Sequence, residues 1–138
     1  MTRKLSLWWI PLILLLGAGY YGYRIYNKPH RQVASAPADY SLTASDLINA
    51  FEANEDAANT KYLDKLIEVN GVLNAVKKED DGGLSVILAT DNDMTSVICN
   101  FVDTPNAHLP PEGSLVKIKG ICSGYLGDAV LERCVLVE

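Results

Sequence analysis

The sequence predicts a mainly β domain, a small closed barrel of five strands. An amphipathic helix precedes it, and an N-terminal transmembrane helix precedes that. Three observations carry this reading. Residues 66–76 read LIEVNGVLNAV, alternating in polarity around a central glycine. Four further β-type runs follow, separated by connections rich in Asp, Asn, Gly and Pro. Residues 5–23 carry no charge, and Lys4 and Arg24 flank them.

The uncharged run from Leu5 to Tyr23 is 19 residues long, about 28 Å as a helix and close to the hydrocarbon thickness of a bilayer. Trp8 and Trp9 stand near one end, and Tyr20, Tyr21, Tyr23 and Tyr26 near the other, as in an interfacial aromatic belt. Pro11 falls in the first turns, where a helix tolerates it best. The competing reading is a cleaved signal peptide. Its small-x-small site would be Ala34-Ser35-Ala36, well past the apolar run, so an uncleaved span is favoured. No cysteine follows the run closely, so lipidation of the lipoprotein kind is not expected. Positive charge is nearly balanced across the run, with Arg3 and Lys4 before it and Arg24, Lys28 and Arg31 after it. A short tail ahead of a long C-terminal domain behaves as a signal anchor. That places the domain outside the cytoplasm, periplasmic in a cell with two membranes, on a single-pass inner-membrane anchor. Residues 1–26 are therefore the anchor. Residues 27–40, with Pro29, Pro37 and several small side chains, are a linker, and 41–138 are the domain.

Charge separates along the chain. There are 12 basic and 17 acidic residues, for a net −5. Five of the basic residues lie at or before Arg31, and every acidic one at or after Asp39. From position 39 onward, 7 basic residues face 17 acidic ones, a net −10. Such a domain repels polyanions at long range, which argues against nonspecific nucleic-acid binding.

Within the domain, a helix is expected over about Thr43 to Asn59. Ser41 or Thr43 caps it, and Asp46 stands at capping-box distance from Thr43. Leu47, Phe51, Asn54 and Ala58, with Ile48, form its apolar stripe. Asn54 and Glu55 lie on or beside the stripe and read as backbone-bonding or capping residues, with ligand contact as the alternative. The first strand then places Ile67, Val69, Leu73 and Ala75 on one face, with Gly71 as the point of a bulge or bend. The next strands are expected at 84–90, 95–102, 115–122 and 129–137. The segment 103–113 holds Pro105, Pro110 and Pro111 and reads as irregular. Five strands, a bent first strand and an irregular third-to-fourth connection describe an OB-fold barrel.

At this point a resemblance enters. Phe51-Glu52-Ala53-Asn54-Glu55, Ala58, Lys61-Tyr62 and Val69-Asn70-Gly71-Val72 resemble the opening of the tRNA-anticodon-binding-like OB-fold family. Gly113, Val116-Lys117-Ile118-Lys119-Gly120, Cys122-Ser123-Gly124-Tyr125-Leu126, Asp128, Leu131 and Cys134 resemble its ending. The resemblance covers about Leu42 to Glu138. It implies the fold and a bacterial setting rich in proteins described as lipoproteins. It implies little about activity, because the family's name rests on fold analogy. This chain differs from the lipoprotein members in having a membrane span and no lipobox cysteine.

The candidate chemistry is sparse. Cys99, Cys122 and Cys134 all fall in predicted strands, without C-x-x-C spacing, and His30 and His108 stand apart, so no metal site is expected. Cys122 with Cys134 is the candidate disulfide by sequence. A tight hairpin would set that pair four positions out of register, about 13 Å apart. Cys99 with Cys134, or three buried thiols, are the alternatives. Asp91-Asn92-Asp93 lacks the glycine and glutamate of a calcium loop and reads as a turn. No Ser-His-Asp, paired-carboxylate or phosphate-loop pattern is legible, so neither catalysis nor a cofactor is expected.

An OB fold binds along its second and third strands, between the first-second and fourth-fifth loops. The candidate ligand-binding residues are accordingly Tyr125 and Leu126 in the latter loop, Lys77 and Lys78 at the former, and Phe101 in the third strand. The expected function is a non-catalytic, membrane-anchored binding module for a protein or small ligand. Single-strand nucleic-acid binding is the alternative, disfavoured by acidity and scarce aromatics.

Overall fold

The computed structural model describes residues 9–26, 33–102 and 108–137. The chain divides into two units, residues 1–31 and 32–138.

The first unit contributes helix α1, Trp9–Tyr26, in which Ile10, Leu12, Ile13, Leu14, Leu15 and Leu16 are exposed. Among the described residues, no helix is long and apolar enough to cross a membrane. The predicted span begins at Leu5, and its residues 5–8 lie outside the described residues.

The second unit is built on β2, Leu66–Lys78, the strand with the clearest alternation. It is followed by β3 (Leu84–Ala89), β4 (Ser96–Phe101), β5 (Leu115–Tyr125) and β6 (Ala129–Val137). The ring closes in the order β2-β3-β4-β6-β5, with β5 returning to β2. Strand β2 serves both halves of the ring. Its residues 66–72 pair with β5 and its residues 72–78 with β3, as a bent first strand requires. Inside, Ile67, Val69, Leu73, Val86, Leu88, Val97, Ile118 and Leu131 form one apolar core.

The bend differs in detail from the sequence expectation. The bulge lies between Leu73 and Ala75, not at Gly71. It reverses the facing of the strand beyond it, so Val76 packs toward the core and Ala75 does not share Leu73's face. Gly71 serves close approach instead. A Cβ there would meet Ala44 Cβ and Leu88 Cβ at 3.1 Å.

Two further corrections concern the residues before the barrel. The helix expected over 43–59 is two helices, α2 (Ala44–Ala53) and α3 (Glu55–Tyr62). Asn54 breaks them with extended backbone and caps α3, its Oδ1 accepting from Ala57 N at 3.0 Å. Thr43 caps α2 through Asp46 N, as the sequence predicts. The last part of the 27–40 stretch leads into a sixth strand, β1 (Tyr40–Thr43), which adds in parallel to β2. Asp39 bonds Leu66 through both its backbone N–H and its carboxylate, and Lys119 Nζ donates to Ala36 O at 3.0 Å. Residues 27–32 of that stretch lie outside the described residues.

The helices settle on one end of the barrel. Ser45 Oγ accepts from Asp91 N at 3.0 Å, tying the start of α2 to the β3–β4 turn. At the other end of that helix, Phe51 stacks on Tyr125 of the β5–β6 turn.

Candidate functional site

The barrel's outer face over β3 and β4 follows from register. Ala75 pairs with Ile87, Ile87 with Ile98, and Ile98 with Val130. Their strand neighbours Val86, Leu88, Val97, Cys99 and Leu131 are buried, so these four point outward in one row across four strands. Each is half-buried. Beside the row, two residues along β3 and β4, stands a polar group in which Ser85 Oγ lies 2.8 Å from both Glu79 Oε1 and Asn100 Oδ1. The Val130 end of the row leads to the β5–β6 turn.

That turn is held firmly. Gly124 and Gly127 take φ of +148° and +87°, conformations that suit glycine. Leu126 N donates to Asp128 O at 3.0 Å. Asp128 Oδ1 accepts from both the N–H and the hydroxyl of Ser96, at 2.7 and 2.8 Å, joining the turn to the start of β4. The Tyr125 ring stacks on Phe51 with centroids 5.1 Å apart and planes 9° from parallel. Between this turn and α3 runs a mostly apolar groove of about 520 Å³, lined by Asn59, Leu63, Tyr125, Leu126 and Val130 among others. Leu126 is 95% exposed and Leu63 38%. Burial of the Tyr125 phenol, then the carboxylates of Glu52, Asp128 and Glu55, push its pKa up, so it stays a neutral donor.

The predicted site residues do not converge. Tyr125 and Leu126 share the groove. Lys77 and Lys78 are exposed at the far end of β3 and β4. The Lys77–Ser85–Asn100 row and the Val97–Ala129 row are three residues apart along β4, about 10 Å. Phe101 is only 2% exposed and belongs to the core. Its inward position in β4 removes it as a stacking surface, a correction to the sequence reading. Leu63, Asn59 and the row Ala75–Ile87–Ile98–Val130 are additions. The run Leu-Ser-Val-Ile-Leu-Ala in β3 held a signal for the row, since apolar residues on both strand faces mean partial cover on both.

The cysteines are all buried free thiols. Bulges at Lys119/Ile121 and Cys122/Gly124 change the expected register. Cys122 faces Leu131, while the Cys134 sulfur lies over Gly120. The pair remains two positions apart along the ladder, about 7 Å before the strand spacing is added, so it is not bridged. Cys134 instead neighbours Cys99 and Asn100, and burial first, then Cys99, raise its pKa. Asp91-Asn92-Asp93 forms a turn, with Asn92 Oδ1 accepting from Met94 N at 3.1 Å.

Compared with known families, the chain matches tRNA_anti-like over residues 1–136. The chain belongs to the tRNA_anti-like family. Among solved structures, the tRNA_anti-like domain is similar to a "putative nucleic acid-binding lipoprotein" from Klebsiella pneumoniae. The TM-score is 0.60 and the identity 19%, over 75% of this chain and 100% of that one. At this identity the likeness concerns the fold. No curated protein matches.

In this tRNA_anti-like domain, the face that OB folds use for ligands presents small aliphatic side chains. A single-strand site draws on stacking aromatics in a basic groove. Here Phe101 is buried, and Tyr125 is engaged with Phe51. The arrangement suits apolar contact with hydrogen bonding at its rim.

Proposed function

We propose that this protein is a non-catalytic OB-fold binding module, tethered to a membrane by its N-terminal segment. It takes a protein or small ligand outside the cytoplasm, at the β5–β6 end of the barrel. The observation that carries the reading is Leu126, a leucine 95% exposed yet held in an ordered turn beside an apolar groove. Exposed apolar surface of this kind marks interaction sites. The tether rests on the uncharged run 5–23, which α1 overlaps, with its aromatic ends.

Photo-crosslinking in cells tests the reading. A photoreactive residue at position 126 of the full-length chain should give a discrete adduct by mass spectrometry. The same residue at position 94, exposed but outside the groove, should not. No adduct at 126, or equal adducts at both positions, would overturn it.

A second reading is single-strand nucleic-acid binding, favoured by the description of the Klebsiella neighbour and by exposed Lys77 and Lys78. A labelled 20-nucleotide oligothymidine decides between them. The first reading expects no binding at about 0.15 M salt. Binding that falls steeply with added salt would favour the second.

A further inference from the structure

We infer that the loop-end groove takes a cationic peptide segment, one that inserts an apolar side chain between Leu63 and Leu126 while its lysines or arginines meet the surrounding carboxylates. This inference rests on the binding-module reading and names the partner's chemistry.

Three observations support it. The first is shape and polarity, an apolar floor with a leucine on each side. The second is charge. Glu52 near the end of α2, Glu55 at the start of α3 and Asp128 in the turn all act on the Tyr125 phenol that lines the groove. Asp64 follows Leu63 directly and is exposed. Lys65, also exposed, follows Asp64 and offsets its charge, so the excess comes from Glu52, Glu55 and Asp128. The other nearby lysine, Lys61, is drawn onto the Tyr62 and Tyr40 rings, with Nζ 4.9 and 5.4 Å from their centroids. Its charge is thus engaged away from the groove's lining. The rim therefore favours cations, and the same carboxylates repel nucleic acid and anionic lipid. The third is order. Phe51 backs Tyr125, and the Leu126 N–H is bonded within its turn, so little freedom is lost on binding.

The test uses the full-length chain in nonionic detergent at about 0.15 M salt. Three fluorescein-labelled 12-residue peptides are titrated by anisotropy. One alternates leucine and lysine, one leucine and glutamate, and one serine and lysine. The leucine–lysine peptide should bind at least tenfold tighter than either of the others. Leu126→Asp should weaken it at least tenfold. That variant adds a negative charge, so attraction by charge alone would instead tighten binding. A thermal melt confirms that the variant is folded, as expected for a surface turn residue. A preference below tenfold, or unchanged or tighter binding to Leu126→Asp, overturns the inference. If position 126 still crosslinks in cells in that event, the binding-module reading stands and only the partner's chemistry is wrong. Loss of both results removes the reading itself.

Discussion

Replacing Gly120 with alanine lowers the stability of the domain by about 3 kcal/mol. Gly120 lies in β5 opposite the bulge of β6. A Cβ there would stand 2.6 Å from Cys134 Sγ, 3.2 Å from Leu131 Cβ and 3.3 Å from Glu132 O. The sulfur cannot step aside cheaply, because it is buried in the packed core beside Cys99. The other two contacts belong to backbone or to a core residue, so β6 itself must shift. For a unit spanning residues 32–138, the loss corresponds to a fall in Tm of roughly 12 °C. Thermal denaturation of Gly120→Ala, Cys134→Ala and the double variant checks the cause. Removing the sulfur should restore part of the lost stability, a non-additivity that a general strand defect would not produce. Unchanged melting of Gly120→Ala would contradict the packing described.

Phe51→Ala is the second large effect. Phe51 is 2% exposed, among the largest fully buried side chains, and packs α2 onto the barrel. Truncating it opens a cavity worth about 3–5 kcal/mol. It also removes the ring on which Tyr125 stacks. Two readouts should therefore move together. Tm falls, and amide exchange at Leu126, whose N–H bonds Asp128 O, accelerates beyond what global unfolding explains. Phe51→Leu keeps most of the volume and should lose much less stability, but still loosen the turn. If Phe51→Ala lowers Tm while the Leu126 amide stays fully protected, the turn does not depend on the helix.

The barrel was legible because its strands obey simple alternation, and β3 to β6 stand within two or three residues of where pattern puts them. What escaped depended on contacts distant in sequence. Strand β1 has four residues and little burial, so Tyr40–Thr43 carries no period of its own. It exists because β2 offers an edge. The break at Asn54 was half-visible, since Asn in an apolar stripe signalled a cap, but not that it divides two helices. The bulge lies in the Asn74 region and Gly71 packs closely against Ala44 and Leu88, contacts that no local pattern announces. Likewise the tight fit at Gly120 follows from Arg133, whose φ of +54° lies between register points that force an extra residue into β6. At the site, Leu126 could be picked out because leucine in a Gly-Tyr-Leu-Gly-Asp turn has little chance of burial. Its counterpart Leu63, and the carboxylates that gather around Tyr125, come from α2, α3 and the turn, and only the fold brings them together.

The most direct test of a tethered module working outside the cytoplasm is the side of the membrane on which the barrel stands. The native cysteines are buried and will not report on it. Met94→Cys, at a position 90% exposed in the β3–β4 turn, will. The full-length variant is expressed in a two-membrane bacterium whose outer membrane is permeabilised, and treated with a membrane-impermeant maleimide. The account predicts labelling at position 94 while the inner membrane is intact. Labelling only after lysis would contradict it and place the barrel in the cytoplasm.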